Sequence, residues 1–242
     1  MKKTFLALLV IAISYSCKNS EAQTVVVKEN NEIKKHFDDI ENDIKKYQTD
    51  AQKYWDKNDQ ENAVKYNDSI KSLILNSYIK DFEFKTIDNT IYSTSERRKP
   101  MFLQVTASWC APCKFEVSAL NKVVEKYSDK VDFVLLFSDT QLELEKIADD
   151  YSKKIVLIPS QEELSGEKII NFYGFRHMFG FPTNYLITTQ NKIIDFSQGA
   201  SIPTTFTDSS GKEITITKEE ADQKNYDKFE NQIKDLIEKE AI

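Results

Sequence analysis

The chain has 242 residues, of which 40% are hydrophobic and 30% charged, and its formal net charge is −6. This apolar fraction is sufficient for a folded core, and the mixed charge excludes the concentrated basic face that a nucleic-acid groove requires. All five glycines follow residue 165, which excludes a glycine-rich phosphate-binding loop in the earlier part of the chain.

The first residues have the pattern of a secretory signal peptide. Lys2 and Lys3 precede nine consecutive apolar residues, 5–13, and a short polar stretch then leads to Cys17. Nine helical residues rise about 14 Å, roughly half of a bilayer core, so a permanent membrane span is not expected. The alternative interpretation is a buried N-terminal helix. We predict a signal peptide over 1–16 and export of the remaining chain.

Cys17 is at the position where bacterial lipoproteins carry a lipidated cysteine. Three cysteines in an exported chain leave one over after pairing, and a lipid on Cys17 would account for it. The alternative is cleavage by the ordinary signal peptidase, which leaves Cys17 as a free thiol. We predict that a lipid on Cys17 attaches the chain to the membrane and that residues 17–30 form a polar tether.

Two amphipathic stripes follow the tether. Apolar residues recur at intervals of three and four over 33–54 and again over 63–74, and Asp59 is placed to cap the second helix. The pattern predicts an α-helical hairpin over 31–80. This hairpin is either a packed accessory element or a dimerising coiled coil that offers a platform to a partner. Fewer than four heptads do not establish a coiled coil.

From residue 81 onwards, predicted strands alternate with predicted helices. The predicted elements are strands 82–87 and 90–92 around a turn at Asp88-Asn89, strand 101–106, helix 113–127, strand 131–137, helix 142–151, helix 162–173 ended by Gly174, strands 185–188 and 192–196, a Ser/Thr-rich insert with a hairpin-like turn at 200–218, and helix 219–240. This order predicts an α/β domain over 81–242, with a central mixed sheet flanked by helices.

The strongest chemical signal is the motif Trp109-Cys110-Ala111-Pro112-Cys113, which follows a predicted strand and opens a predicted helix. At a helix N-terminus, backbone N–H groups and the macrodipole stabilise a thiolate and lower the thiol pKa below its usual ~8.5. The second sulfur, one turn further on, can close a disulfide or attack a mixed one. We therefore assign Cys110 as the nucleophile and Cys113 as the resolving thiol.

Three other interpretations compete for the two cysteines. A structural zinc site needs four ligands, and both His36 and His177 would have to converge on the cysteines. Haem attachment needs a histidine directly after the second cysteine, and Lys114 occupies that position. An inert structural disulfide suits an oxidising compartment, but Pro112 in the first helical turn and a surface position for Trp109 favour a redox site. We predict neither a metal nor a cofactor.

The motif in this context resembles thioredoxin-fold proteins, and more narrowly the membrane-anchored TlpA/ResA-like thiol–disulfide oxidoreductases of the bacterial envelope. The resemblance covers about 82–200 and the last helix, and it implies a thioredoxin-like fold, here preceded by the helical hairpin. It further implies a periplasm-facing enzyme that reduces disulfides of exported proteins, such as apocytochrome c, and is re-reduced by a membrane electron-donor thiol protein. The Ala-Pro pair does not fix the direction of electron flow, so a dithiol oxidase stays open as an alternative.

Two further positions carry the resemblance. Phe181-Pro182-Thr183 follows the cysteines by about 70 residues, where this fold has a cis-proline that places backbone polar groups beside the reactive sulfur for pairing with an extended substrate. Glu116, three residues past Cys113, matches the acid that manages the proton of the resolving thiol in the anchored family. The alternative for Glu116 is a first-turn acid that interacts with the helix dipole.

The aromatic-rich segment 172–181 leads into Pro182 and is expected to pack mostly in the core. Any part exposed beside Trp109 would form an apolar docking patch for an extended protein substrate, and we add Pro112 to this predicted substrate-binding set. His177, inside the segment, is interpreted as a surface-loop histidine.

The chain departs from the thioredoxin pattern at Gln104, six residues before the first cysteine, where a buried acid is usual. An amide cannot shuttle a proton, so Glu116 or water must serve the resolving thiol. Outside this enzyme class, the second hypothesis is a lipid-anchored binding module in which the cysteines form a locked disulfide. A thiol peroxidase is the third, and the chain shows no peroxide-binding signature for it.

Overall fold

The computed structural model describes residues 34–161, 169–208 and 210–241. The predicted signal peptide, Cys17 and the tether lie outside these ranges, as do residues 162–168 of the predicted third helix. Within the described ranges, no helix combines the length and apolar character needed to cross a membrane.

The described residues contain five α-helices and eleven β-strands. The helices are α1 (Glu41–Trp55), α2 (Gln60–Ile74), α3 (Ala111–Tyr127), α4 (Gln141–Glu145) and α5 (Lys218–Glu240), with 3₁₀ turns at Phe37–Ile40 and Ala148–Asp150. The strands are β1 (Glu83–Lys85), β2 (Ile91–Ser93), β3 (Met101–Thr106), β4 (Asp132–Phe137), β5 (Ile155–Ile158), β6 (Ile170–Phe172), β7 (Phe175–His177), β8 (Thr183–Ile187), β9 (Ile193–Gln198), β10 (Thr204–Thr207) and β11 (Glu213–Ile216).

A five-stranded mixed sheet in the order β5-β4-β3-β8-β9 forms the centre of the fold. The strands β3, β4 and β5 run parallel, while β8 is antiparallel to both β3 and β9. All six residues of β3 are buried, because helices cover both faces of the sheet. The predicted α/β fold with a central mixed sheet is therefore confirmed, and the cysteine motif begins at the carboxyl end of its middle strand.

Alternating side chains of β3 enter two different cores. Leu103 and Val105 join the core that includes Ile74 of α2, whereas Phe102 packs on the other face with Leu120 of α3 and Phe229 of α5. The predicted helical hairpin is present as α1 and α2, and one of its faces is packed against the sheet.

The predicted cap of α2 and the predicted hairpin of the 200–218 insert are also present. The Asp59 carboxylate accepts a hydrogen bond from the Asn62 backbone N–H at 3.2 Å and caps α2, as predicted. In the 200–218 insert, β10 and β11 pair antiparallel, which confirms the predicted hairpin. Thr217 then caps α5 by accepting from the Glu220 N–H at 3.1 Å.

The predicted helix over 162–173 is wrong where the structure describes it. Residues 170–172 form β6, which pairs antiparallel with β7, and Phe172 is opposite Phe175. Tyr173 and Gly174 have φ values of 51° and 99°, and positive φ at both central residues is the geometry of a two-residue type I′ hairpin turn. Burial of both phenylalanines in the core outweighs the helical spacing of this segment.

Two further elements differ from the sequence-based prediction. The helix expected over 142–151 is shorter, since α4 ends at Glu145 and a 3₁₀ turn follows at Ala148–Asp150. The edge strand β5 was not predicted at all. Its four residues are too short an apolar run to distinguish from a loop, and pairing with β4 makes them a strand.

Candidate active site

The two cysteines are joined by a disulfide at the N-terminus of α3, with their Cα atoms 5.3 Å apart. Cys110 is the N-cap residue, and its Sγ accepts a hydrogen bond from the Cys113 backbone N–H at 3.3 Å. Pro112 is in the first turn, where a missing N–H costs nothing, and that turn contains no acidic residue. The positive end of the helix dipole therefore acts on Cys110 without a competing carboxylate.

Two aromatic side chains, those of Trp109 and Phe181, form an apolar surface beside the cysteine pair, which we call the collar. Cys110 and Cys113 are 6% and 2% exposed, while the neighbouring Trp109 is 60% exposed. Phe181 packs against the two cysteines, and its ring meets the Trp109 ring edge-to-face with the centroids 5.4 Å apart. The deeper sulfur is that of Cys113, and the collar of Trp109 and Phe181 is the apolar surface next to the pair.

The segment around Pro182 faces the motif from the adjacent strand. The Phe181–Pro182 peptide bond is cis, as predicted. Thr183, the first residue of β8, is buried, and its hydroxyl donates a hydrogen bond to the Gly180 carbonyl at 2.6 Å. Pairing of Thr183 with Val105 of β3 sets this segment at the end of the sheet where the cysteine motif begins.

Glu116 is buried and lies beyond the first turn of α3, so its interpretation as a first-turn acid that interacts with the helix dipole is wrong. The residue is 1% exposed and lies three positions after Cys113, which puts both on one face of α3. Burial raises the pKa of the Glu116 carboxyl to about 8, while the Lys228 charge and a hydrogen bond from Gln104 oppose that rise. Glu116 is therefore poised to exchange a proton near neutral pH.

Gln104 holds this acid in place. Its Nε2 donates to Glu116 Oε1 at 2.9 Å and to Asn184 Oδ1 at 2.8 Å. The second carboxyl oxygen, Oε2, accepts no hydrogen bond from the described residues. Sequence reasoning did not identify Asn184, although a single amide inside the fully buried strand β8 was the available signal.

Asp139 is a second functional candidate that sequence reasoning missed. It follows β4, is 2% exposed, and its carboxylate accepts hydrogen bonds from Ser108, which precedes the motif. The available signal was its position at the carboxyl end of the strand next to β3, the end where the reactive cysteines lie.

His177 is buried, so its interpretation as a surface-loop histidine is wrong. It is 1% exposed on β7, its ring stacks on Phe181, and its Nδ1 is 3.2 Å from the Tyr185 hydroxyl. Burial lowers the pKa of the His177 imidazole to about 4, against the opposing effect of backbone groups of residues 179 and 180. A neutral ring at this position supports Phe181 from behind.

The arrangement is suited to thiol–disulfide exchange. It combines a disulfide at a helix N-terminus, an acid of raised pKa on the same helix face, and an apolar collar at the entrance. Across the described part of the chain, no three histidine, cysteine, aspartate or glutamate residues are grouped to hold a metal ion.

The chain belongs to the AhpC/TSA family, whose model matches residues 75–196, half of the sequence. Among curated proteins it is similar to thiol-disulfide oxidoreductase ResA of Bacillus anthracis, with 28% identity over 122 residues that cover 50% of this chain and 64% of that protein. It is also similar to thioredoxin-like protein YneN of Bacillus subtilis (strain 168), with 24% identity over 149 residues that cover 60% of this chain and 74% of that protein.

Among solved structures the chain is similar to StoA from Bacillus subtilis, with a TM-score of 0.38 and 23% identity, covering 50% of this chain and 88% of StoA. Another is a thiol-disulfide oxidoreductase from Bacteroides fragilis NCTC 9343, with a TM-score of 0.41 and 20% identity, covering 50% of this chain and 89% of that one. The curated relatives confirm the resemblance to ResA-like proteins, and the chain spans slightly less than two thirds of the ResA length.

Proposed function

We propose that the protein is a thiol–disulfide oxidoreductase that reduces disulfides of exported proteins in the bacterial cell envelope. The observation that carries the proposal is the Cys110–Cys113 pair, with Cys110 capping α3 and Cys113 buried one turn further on. Relatives named as thiol-disulfide oxidoreductases support the same activity.

The reaction begins when a membrane electron-donor thiol protein reduces the Cys110–Cys113 disulfide. The Cys110 thiolate, stabilised by the helix N-terminus, attacks one sulfur of a client disulfide, and the other client sulfur leaves as a thiolate and takes a proton. Cys110 is then joined to the client in a mixed disulfide. Cys113 loses its proton and attacks Cys110 Sγ, which re-forms the intramolecular disulfide and releases the second client thiolate.

Glu116 receives the proton of Cys113 in this scheme. A carboxyl with a pKa near that of a thiol exchanges protons efficiently at neutral pH, and the raised pKa of Glu116 meets this condition. The shared helix face and the free Oε2 atom support the assignment, because Gln104 already occupies Oε1. Gln104 therefore orients the acid and does not itself carry the proton.

Client proteins contact the collar around the pair. Trp109 and Phe181 offer apolar ring surface, and Pro112, Pro182 and Thr183 complete the proposed binding set. An extended client segment provides a disulfide together with apolar side chains and unpaired backbone groups, which are the features that this collar can bind. No nucleic acid is a proposed partner.

Export and attachment to the membrane rest on the N-terminal sequence. Lys2, Lys3 and the apolar stretch 5–13 support export, and Cys17 supports attachment through a lipid. The lipid would hold the domain facing the periplasm, near its electron donor and near clients such as apocytochrome c. Mass measurement of the mature chain tests this: a mass increased by a diacylated and acylated N-terminal cysteine is expected, and a free Cys17 thiol would contradict it.

The catalytic proposal is tested by reduction of insulin with dithiothreitol as the electron source. The wild-type chain is expected to accelerate insulin precipitation, and Cys110→Ser is expected to abolish turnover. Cys113→Ser is expected to accumulate a mixed disulfide through Cys110. Cys17→Ser is the matched control, since it removes a cysteine outside the proposed site and should retain turnover. Unchanged turnover in Cys110→Ser would refute the proposed function.

A further inference from the structure

The C-terminal helix α5 presents a polar stripe toward the end of the central sheet. Asn225, Lys228 and Gln232 follow one another at intervals of three and four, so they share one face of the helix. Each of the three side chains forms hydrogen bonds with the segment 195–201. Asn225 Oδ1 accepts from the Ser201 N–H at 2.7 Å, and Lys228 Nζ donates to the Gly199 carbonyl at 2.6 Å. Gln232 Nε2 donates to Asp195 Oδ2 and to Ser197 Oγ, both at 3.0 Å.

Lys228 is linked to the Pro182 segment by two consecutive hydrogen bonds. Its Nζ donates to the Gly199 carbonyl, and the Gly199 N–H donates to the Pro182 carbonyl at 2.9 Å. Gly199 has a φ of +74°, a conformation that favours glycine and lets both of its backbone groups make these contacts. The ammonium group is thereby connected through Gly199 to the segment that contains the cis peptide bond.

The same helix face also reaches the turn of α3 that carries the buried acid. Asn225 is 1% exposed, and its Nδ2 donates to the carbonyl of Phe115, the residue before Glu116, at 3.5 Å. Lys228, one turn further along α5, is partly buried, and its charge and that of Glu116 each favour the ionised form of the other. Lys228 therefore lies on the face of α5 that contacts the Glu116 turn of α3, and it acts on Glu116 through its charge.

The other described groups that act on this pair carry no positive charge. Tyr151, which follows the 3₁₀ turn after α4, is buried within electrostatic range of Glu116 and is neutral at physiological pH. Asp195 of β9 acts on Lys228 and favours its ammonium form. From β3, Gln104 contributes a neutral hydrogen-bond donor. Lys228 is therefore the group that supplies positive charge to Glu116.

We propose that Lys228 is a positioning residue for the resolving step, in which its ammonium group raises the ionised fraction of the buried Glu116, the form that accepts the Cys113 proton. This inference rests on the proposed function. The proton passes from Cys113 Sγ to Glu116, the resulting thiolate attacks Cys110 Sγ, and the bond between Cys110 and the client sulfur breaks. The client leaves as a thiolate that takes a proton from water, so the client is reduced and the cysteine pair is oxidised.

The test follows the resolving step with a symmetrical nitrobenzoate disulfide, whose released thiolate is coloured. Reduced enzyme mixed with one equivalent releases a first thiolate when Cys110 attacks and a second when Cys113 resolves the mixed disulfide. In Lys228→Gln, the amide can still donate to the Gly199 carbonyl but the charge is lost. Lys228→Arg keeps the charge, and Lys224→Gln removes an exposed lysine of the same helix as a matched control.

In Lys228→Gln, the pH midpoint of the second release is expected to move upward by about one unit, with an approximately tenfold slower release at neutral pH. The first release should stay within about twofold of wild type, since Cys110 attacks without Glu116. Lys228→Arg and Lys224→Gln should keep the wild-type midpoint. In a Glu116→Gln background, Lys228→Gln should have no further effect, because the carboxylate on which it acts is absent.

A Lys228→Gln enzyme with the wild-type pH profile would overturn the inference. Equal slowing in the glutamine and arginine variants, without a shifted midpoint, would also overturn it and assign Lys228 a purely structural role. A wild-type chain that never releases the second thiolate would instead refute the proposed function itself, so the two failures are distinguishable.

Discussion

The Asp139 carboxylate accepts two hydrogen bonds from Ser108, one from the backbone N–H at 2.7 Å and one from the hydroxyl group. Ser108 is two residues before Cys110, while Asp139 comes from the end of the neighbouring strand β4. The loop that presents the nucleophile is thus held by a buried charge on another strand, and the Ser160 N–H bonds the Asp139 carbonyl at 2.8 Å.

Replacement of Asp139 by alanine is expected to destabilise the protein and to slow its reaction with client disulfides. Loss of a buried charged acceptor leaves the Ser108 N–H without its partner, which costs about 2 kcal/mol of unfolding free energy. Urea unfolding of the oxidised chain measures this cost. Asp149→Ala is the matched control, since the Asp149 side chain is 97% exposed and its removal should leave the unfolding free energy close to that of wild type. Equal stability of the two variants would contradict a role for Asp139 in holding the loop.

Glu116 makes the stability of the protein fall as the pH rises. Burial raises the folded-state pKa to about 8, so the folded chain keeps a proton that the unfolded chain loses near the ordinary value of 4.5. The stabilising contribution is complete below pH 4.5 and is lost as the pH rises through about 8. We expect the unfolding free energy of wild type to decline between pH 5 and pH 8, and that of Glu116→Gln to decline less.

Urea titrations at several pH values check this prediction. Glu61→Gln serves as the control because the Glu61 side chain is 82% exposed on α2. Wild-type and Glu116→Gln curves that run parallel across the pH range would show that Glu116 is not a buried acid with a raised pKa.

Phe181 is expected to matter for protein clients and not for small disulfides. Its ring contacts both Trp109 and His177, and it covers the cysteine pair from one side. In Phe181→Ala, the collar loses about 1 to 3 kcal/mol of apolar contact with an extended client, which raises KM for insulin by roughly fivefold to a hundredfold. The rate with a small disulfide should change little. Phe206→Ala, which removes an exposed ring on β10, is the control. A loss of similar size with both substrates would count against a client-binding role.

The helical hairpin is expected to unfold together with the sheet. Ile74 of α2 is fully buried in the core that contains Leu103 and Val105 of β3. Ile74→Ala should therefore cost about 2 to 5 kcal/mol of unfolding free energy within a single cooperative transition. Val64→Ala on the same helix should cost far less, because Val64 is 46% exposed. A separate early transition that reports only the hairpin would contradict the shared core.

The parts of the fold that were predictable are those encoded by local patterns. Strand 101–106 is an uninterrupted apolar run, and helix 113–127 repeats its apolar residues at helical intervals, so both have the predicted position. The helix predicted over 162–173 is wrong at residues 170–173, because the hairpin found there depends on two positive φ angles and on burial of Phe172 and Phe175, which are set by tertiary packing.

The residues of the candidate site were likewise predictable only where a local sequence pattern or the family resemblance identifies them. Cys110 and Cys113 are recognised from their spacing and context, and the cis bond before Pro182 was expected from the resemblance to thioredoxin-fold proteins. The raised pKa of Glu116 depends on burial, which the sequence of its own helix does not determine. Lys228 is one of many lysines, and only the packing of α5 on α3 brings it toward Glu116.

The most direct test of the central claim is the reduction potential of the Cys110–Cys113 pair, measured by equilibration in glutathione or dithiothreitol buffers. An enzyme that reduces client disulfides should titrate as a single two-electron couple with a potential near or below the ~−270 mV of thioredoxin. A potential approaching the ~−120 mV of a strong dithiol oxidant would contradict the proposed direction, and a pair that resists reduction in both buffers would contradict a redox role altogether.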